Sequence, residues 1–130
     1  MPSQDIDQML NLKTWAVVGL SNNSDRAVYK VAKVLLDKGH TVIPIHPKAE
    51  IVHGQQGYSS LTQVTDPIDV VDIFVNSQIA GQVVDEAISI GAKGVWLQLD
   101  VIDESAINRA KKAGLFTVMN RCPAIEYAKI

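Results

Sequence analysis

The stretch from residue 15 to residue 48 reads WAVVGLSNNSDRAVYKVAKVLLDKGHTVIPIHPK, and its apolar pattern changes twice. Residues 14–20 form a continuous apolar run, which is typical of a strand buried on both faces of a parallel sheet. Helical spacing follows at Val28, Val31, Ala32 and Leu35. Residues 41–45 (TVIPI) are a second strand-like run. This stretch therefore predicts a βαβ unit with two parallel strands.

The rest of the chain repeats the same alternation of strand and helix patterns. Further strands are predicted at residues 69–75, 95–99 and 116–119, and a short helix at about residues 3–11 precedes a core of about residues 14–127. The pattern predicts an α/β fold in residues 1–130: a single doubly wound Rossmann-like domain whose five-stranded parallel sheet has helices on both faces. We expect the strand order 3-2-1-4-5, although a flavodoxin-like order fits the same elements. Pro44 lacks an N–H donor, so the second strand should lie at a sheet edge or pair only near its end.

Composition excludes several classes of function. The chain has 130 residues, a formal net charge of −2 and no basic run, which argues against a nucleic-acid partner. It has one cysteine, and its apolar runs are far shorter than the ~20 residues that cross a bilayer. The polar, acidic N-terminus is unlike a secretion signal. We expect a cytoplasmic protein with no membrane association.

Ligands of parallel sheets bind beyond the carboxyl ends of the strands. That rule selects five candidate segments, namely residues 19–26, 46–48, 75–77, 98–100 and 120–122. In the first segment Gly19 permits a sharp turn, and Arg26 adds a positive charge. Small polar side chains lie between them at Ser21, Asn22, Asn23 and Ser24. With Ser24 as the expected N-cap, the following helix start favours phosphate, although an ordinary polar turn would have the same composition.

The glycine fingerprint of dinucleotide-binding proteins is only half present. Ser21 and Ser24 occupy the places of its second and third glycines. The second strand ends in His46, Pro47 and Lys48 where NAD sites have an acid. A cation there favours a nucleotide with a phosphate on its ribose, and NAD is disfavoured.

Six other residues invite a functional interpretation. Tyr29, in the first turns of the helix, would pack on a ligand or on the sheet. Cys122 precedes a helix that begins at Pro123, so that it would be either a reactive thiol or a half-buried capping residue. Asp72, in the middle of the third strand, reads as a structural acid with its hydrogen bonds satisfied. The three histidines lack the spacing of metal ligands, and no metal is expected.

The whole pattern resembles a known family. The stretches that carry the resemblance are residues 15–48 together with YSSL, DVVDIFVNS, AISIGAKGVWLQL and AGLFTVMNRCPAIEY. They are similar to the small stand-alone CoA-binding domains, which resemble the N-terminal domain of the succinyl-CoA synthetase alpha subunit. The resemblance runs from about Trp15 to Tyr127.

The resemblance implies that CoA or an acyl-CoA binds at the strand ends selected above. By position in the motifs it assigns CoA binding to Ser21, Asn22, Asn23, Ser24, Arg26, Lys48, Val75, Asn76, Gln98 and Leu99. Gly19, Tyr29 and Ser77 complete the set that we expect at the site. The synthetase's phosphorylated histidine lies in a further domain that these 130 residues do not contain, so the resemblance implies binding without catalysis.

Two alternatives remain open. The first is an NADP-linked or acyl-CoA-linked enzyme, or an accessory subunit, that works with a partner protein. The second is a redox role in which Cys122 forms a mixed disulfide with the CoA thiol.

Overall fold

The computed structural model describes residues 2–130, with side chains from residue 5 onward. Five strands form one parallel sheet: β1 (Thr14–Val18), β2 (Thr41–Ile45), β3 (Val70–Ile73), β4 (Gly94–Leu97) and β5 (Phe116–Val118). The helices are α1 (Pro2–Leu10), α2 (Ala27–Asp37), α3 (Ser77–Ser89), α4 (Glu104–Lys112) and α5 (Pro123–Ala128), with one 3-10 turn at Leu61–Gln63. The fold class predicted from the sequence is confirmed.

The two faces of the sheet bury different sets of side chains. On one face, Val71 and Ile73 of β3 pack with Ala80 and Val84 of α3 and with Ile107 of α4. On the other face, the strands pack against α1, α2 and Tyr127 of α5. The two tryptophans, Trp15 and Trp96, are fully buried on this second face. Apolar contact on both faces explains why the strands read as continuous hydrophobic runs.

The strands are ordered β2-β1-β3-β4-β5 across the sheet. This is the flavodoxin-like order that the element pattern also allowed, and it differs from 3-2-1-4-5 in the place of the third strand. Val17 of β1 pairs with Pro44 on one side and with Asp72 on the other. The second strand lies on one side of β1 and the third on the other, so the strand order reverses at β1. The loops after β1 and β3 therefore meet at the carboxyl edge of the sheet.

Pro44 accounts for the place of β2 at the edge. The carbonyl of Pro44 accepts a hydrogen bond from the N–H of Tyr58 at 2.9 Å, so this residue faces away from β1. A proline has no N–H to offer on that outward side. A third strand paired beyond β2 would lose a ladder bond there, whereas the place beside β1 has no such defect.

The opposite edge of the sheet is covered by α1. The Asp5 carboxylate accepts a hydrogen bond from the N–H of Thr117 in β5 at 3.0 Å. Ile6, Met9 and Leu10 of the same helix are buried in the core of that face. Across residues 2–130, none of the helices is long and apolar enough to span a bilayer.

Candidate functional site

A cleft of about 420 Å³ opens where the carboxyl ends of β1, β2 and β3 meet. Its walls come from the loops that follow these three strands. They include Gly19, Ser21, Arg26, His46, Pro47, Phe74, Val75 and Asn76. The cleft therefore lies at the edge of the sheet that the strand-end rule selected.

Gly19 forms the turn at the floor of the cleft. Its φ is +100°, a conformation that residues with a side chain rarely adopt. A Cβ atom at this position would lie 2.5 Å from the carbonyl oxygen of Phe74, and the Gly19 N–H donates to the carbonyl of Ile45 at 2.8 Å. The glycine thus lets the loop after β1 pass directly over the ends of β2 and β3.

Helix α2 begins two residues later than the sequence predicts. Its N-cap is Arg26 and not Ser24, because Asn23 accepts a hydrogen bond from the N–H of Asp25 at 3.0 Å and closes a separate turn first. Arg26 is exposed and lines the cleft. A positive side chain and the N-terminus of an eleven-residue helix therefore adjoin the same space.

The wall after β2 is formed by His46 and Pro47. Lys48, the residue expected to carry the positive charge, is exposed and lies outside the lining. Its N–H donates to Nδ1 of His46 at 3.1 Å, so a neutral His46 carries its proton on Nε2 and can donate from there. The sequence analysis named Lys48 within this segment for its charge, whereas His46 and Pro47 are the members of the segment that line the cleft.

The wall after β3 begins helix α3. Asn76 is the N-cap of α3, and its Oδ1 accepts from the N–H of Gln78 at 3.0 Å. Ser77 faces another loop, where its hydroxyl accepts from the N–H of Ile102 at 2.9 Å. Asn76 therefore belongs to the cleft, and Ser77 fixes the loop after β4.

A second, apolar pocket of about 260 Å³ adjoins the cleft. Phe74 and Val75 line both spaces. The other residues around this pocket are Ala27, Val31, Gln98, Leu99, Val101 and Cys122. The pocket was not predicted as such, although Gln98, Leu99 and Cys122 lie in segments that the strand-end rule selected.

A buried polar pair lies beneath this pocket. Gln98, which is 3% exposed, donates from Nε2 to Oδ1 of the fully buried Asp72. The other carboxylate oxygen of Asp72 has no hydrogen-bond partner among the described residues. Burial raises the pKa of Asp72 to about 8, and the Gln98 bond opposes this shift. The expectation that Asp72 is a fully satisfied structural acid was therefore wrong.

The expected site residues fall into three groups. Gly19, Ser21, Arg26, Val75 and Asn76 line the cleft. Gln98 and Leu99 line the apolar pocket, together with Val75. The other six lie outside both linings: Asn22, Asn23, Ser24, Tyr29, Lys48 and Ser77.

Tyr29 packs on a neighbouring loop. Its ring centroid lies 4.1 Å from that of His53, and the Tyr29 carbonyl is 2.9 Å from Nε2 of His53. These contacts hold the segment after β2 against α2.

Glu50 is a further residue that the sequence analysis did not single out. Its carboxylate accepts a hydrogen bond from the N–H of Asn22 at 3.2 Å. The N–H of Asn22 is therefore already hydrogen-bonded to an acidic side chain. No sequence signal marks Glu50, because the contact joins two loops 28 residues apart.

Among residues 5–130, no group of three or more histidine, cysteine or acidic side chains is arranged to hold a metal ion. The polar atoms around the cleft are nitrogen donors and small hydroxyl or amide groups, a set that suits a phosphorylated organic ligand.

A doubly wound parallel sheet with a cleft over the carboxyl ends of β1, β2 and β3 defines a Rossmann-like α/β domain. A family model described as "CoA binding domain" matches residues 13–128. The chain belongs to the CoA-binding domain family.

Similar proteins include both short chains and parts of larger enzymes. Protein YneT of Bacillus subtilis (strain 168), described as uncharacterized, is 33% identical over 116 residues, which cover 89% of this chain and 86% of YneT. A hypothetical protein from Pyrococcus horikoshii OT3 has a solved structure with a TM-score of 0.92 and 36% identity, covering 99% of this chain and 91% of that one. An ADP-forming acetate–CoA ligase of Methanocaldococcus jannaschii is 32% identical over 82 residues, which span 63% of this chain but only 12% of the ligase.

Proposed function

We propose that this protein binds CoA or an acyl-CoA across the cleft and the adjoining apolar pocket, and that it has no catalytic activity of its own. The observation that carries the proposal is the continuity of the two spaces through Phe74 and Val75. CoA has a polar phosphorylated nucleotide at one end and a less polar pantetheine arm at the other. A cleft that carries Arg26, His46 and Asn76, joined to a more apolar pocket, suits that division.

The nucleotide end fits the cleft. Arg26 offers a charge-assisted bond to a phosphate, and Nε2 of His46 can donate beside it. Gly19 keeps the loop backbone low over the strands, so phosphates can approach main-chain N–H groups. Lys48 is exposed next to His46, and we assign it the phosphate on the ribose.

The pantetheine end fits the apolar pocket. Val31, Leu99 and Val101 offer hydrocarbon surface, and the Gln98 amide is the polar group among them. Most small-molecule sites combine these features, with an apolar lining and a few convergent polar atoms. The proposal places the protein in the cytoplasm, where CoA is available.

A second candidate is an accessory subunit of an acyl-CoA enzyme. The match to a segment of an ADP-forming acetate–CoA ligase favours it, because there a similar domain is part of a catalytic protein. Turnover of acyl-CoA by the purified protein alone would contradict the non-catalytic proposal, and turnover only with an added partner would support the subunit.

Isothermal titration with CoA, dephospho-CoA, NADP and NAD tests the proposal. We expect saturable CoA binding that is weaker for dephospho-CoA and absent for NAD. The variant Arg26→Ala should weaken both CoA ligands about tenfold, the size of one lost charge-assisted bond. Its matched variant Lys48→Ala should weaken CoA more than dephospho-CoA. Binding of NADP without CoA would overturn the proposal.

A further inference from the structure

The apolar pocket, which is lined by α2, the loops after β3 and β4 and the start of α5, has an uncharged wall. Most of the residues around it have hydrocarbon side chains, among them Val31, Leu99 and Val101. Within residues 5–130, no lysine, arginine, histidine or acidic side chain borders it. Gln98 contributes an amide to the wall, and Nε2 of that amide already donates to Asp72. The pocket therefore suits a group without charge and with few hydrogen-bonding atoms.

Cys122 is part of this apolar wall. It is 9% exposed, and as the N-cap residue of α5 it makes no side-chain cap bond in the described structure. The capping role that the sequence left open for it is therefore wrong. A buried cysteine packs as a small hydrophobic residue, so this position adds to the apolar surface of the pocket.

The charged groups near the pocket face other spaces. Arg26, which precedes the first residue of α2, lines the cleft. Arg121, in the loop after β5, borders a separate pocket beside Lys111. Asp72 lies beneath the pocket, but it is an acid and adds no positive charge. A carboxylate in the apolar pocket would thus find no cation among the described residues that line it, and an unpaired buried charge is costly.

The parts of an acyl-CoA differ in how many hydrogen bonds they need. Pantetheine contains two amides and a hydroxyl, and each of these groups loses hydrogen bonds to water on burial. An aliphatic acyl group beyond the thioester carbonyl contains only carbon and hydrogen, so its burial is favourable in proportion to its area. A ligand that lies in the cleft reaches the pocket past Phe74 and Val75, which line both spaces. The lining therefore fits the sulfur end of pantetheine and the acyl group attached to it.

The wall of the pocket has an open side at Leu99. This side chain is 49% exposed, so a chain that fills the pocket of about 260 Å³ can continue across it. Covering a half-exposed leucine buries further hydrocarbon, which adds to the affinity. An uncharged chain gains from this contact, whereas a terminal carboxylate does not.

We propose that the apolar pocket is an acyl subsite, which selects CoA esters of uncharged aliphatic acids over free CoA and over esters that end in a carboxylate. This inference rests on the proposed function and names the class of ester that the site takes. Val31, Leu99 and Val101 contact the acyl chain, while the nucleotide lies in the cleft.

Isothermal titration of the wild-type protein with CoA, butyryl-CoA and succinyl-CoA tests the proposal. The two esters have the same four-carbon chain and differ in a terminal methyl group or carboxylate. Each buried methylene strengthens binding about fourfold, so we expect butyryl-CoA to bind at least about tenfold more tightly than CoA. Succinyl-CoA should bind at least about tenfold more weakly than butyryl-CoA.

The variant Leu99→Lys tests whether this pocket sets the preference. It places a cation at the pocket wall, so the affinity ratio of butyryl-CoA to succinyl-CoA should fall at least about tenfold. The matched variant Ile102→Lys replaces another half-exposed aliphatic side chain three residues away, outside the lining, and should change the ratio by less than about twofold. An equal fall of the ratio in both variants, or no fall in Leu99→Lys, would contradict the acyl subsite.

The same titrations distinguish the failure of this inference from the failure of the proposed function. Saturable CoA binding without a gain for butyryl-CoA, or with succinyl-CoA as tight as butyryl-CoA, would overturn the acyl subsite and leave the binding proposal intact. Absence of binding by all three ligands would overturn both.

Discussion

The two ends of the sheet treat buried polar groups in opposite ways. At the amino end, Nδ1 of a neutral His40 donates to the carbonyl of Leu12 at 2.8 Å and Nε2 accepts from the hydroxyl of Tyr127, whose oxygen lies 3.1 Å from the carbonyl oxygen of Leu10. Toward the carboxyl end, Asp72 has one oxygen bonded to Gln98 and the other without a partner among the described residues. The first pair is closed on itself, whereas the second leaves bonding capacity beside a pocket.

The difference indicates which end of the molecule is built for stability. The amino-end pair joins three separate parts of the chain, and Trp15 packs against the His40 ring at 5.2 Å. The carboxyl-end pair lowers stability, because one buried oxygen of Asp72 lacks a hydrogen-bond partner among the described residues. Incompletely satisfied buried groups are rare in folded proteins and concentrate at functional sites. The contrast therefore agrees with ligand binding at the carboxyl end.

The largest expected effect is that of replacing Asp72 with asparagine. Its folded pKa of about 8 lies above the unfolded value of 3.8, so the folded state holds a proton that the unfolded state releases. The contribution of Asp72 to the free energy of unfolding is then greatest below about pH 4. It falls by about 1.4 kcal/mol per pH unit until about pH 8. Asp72→Asn should remove that slope and stabilise the protein by a few kcal/mol at pH 7. Urea unfolding of both proteins between pH 5 and 8 measures it, and parallel curves would contradict the burial of an unsatisfied carboxyl.

The variant His40→Ala should have the next largest effect, with the opposite sign. It leaves the Leu12 carbonyl and the Tyr127 hydroxyl with fewer partners and opens a cavity beside Trp15, so we expect a loss of about 3 kcal/mol. Thermal unfolding measures this loss. A change within about 0.5 kcal/mol, as at ordinary surface positions, would show that the amino-end pair is no more stabilising than a surface contact.

For His40 we expect stability to depend on pH in the direction opposite to that expected for Asp72. Burial lowers the pKa of His40 below 6.5, and its backbone bonds oppose this shift. The unfolded state therefore takes up a proton first, and this contribution to stability is lost as pH falls below about 6.5. The stability difference between the wild-type protein and His40→Ala should narrow between pH 7 and 5. A constant difference would contradict the assignment.

The variant Tyr127→Phe refines the first comparison with a smaller change. It keeps the ring over His40 but removes the hydroxyl that lies between His40 and Leu10. We expect a loss of about 1–2 kcal/mol, the cost of leaving buried polar atoms unpaired. CoA affinity, measured by titration, should be unchanged, since the pair lies at the end of the sheet opposite the cleft.

The smallest expected effect concerns the loop after β1, next to the cleft. Glu50 accepts the N–H of Asn22, which places a negative charge beside the loop proposed to hold phosphates. Glu50→Gln keeps the shape and removes the charge, so CoA should bind severalfold more tightly, equivalent to about 1 kcal/mol. The matched variant Glu104→Gln, at the exposed start of α4, should leave the affinity unchanged. Weaker CoA binding by Glu50→Gln would show instead that Glu50 positions the loop.

Local patterns were enough to predict the fold class and the edge of the sheet that carries the cleft. Hydrophobic periodicity located all five strands, and an edge position of β2 was one of the two interpretations of Pro44. The strand order was less predictable, because the place of β3 depends on packing between distant elements. Pro44 indicates where β3 cannot pair, because its missing N–H donor disfavours a further strand on the outer side of β2.

Individual site residues were harder to predict than segments. Ser24 and Lys48 were chosen for their chemical type, but a turn at Asn23 delays the helix, and His46 reaches the cleft ahead of Lys48. The bond between Asp72 and Gln98 joins residues 26 apart, so no short sequence pattern announces it. The pocket around Cys122 likewise needs the packing of α2 against the ends of β3 and β4.

The two edges of the sheet bear on how the protein behaves at high concentration. An open edge strand is a template on which another chain can add, and such pairing begins many aggregates. Here Pro44 withholds a donor at one edge while Tyr58 covers its carbonyl, and Asp5 caps an outward N–H of the three-residue β5 at the other. The carboxylate of Asp5 and the ring of Pro44 thus each block part of one sheet edge. Both disfavour edge-to-edge pairing of this strongly hydrophobic sheet with another chain.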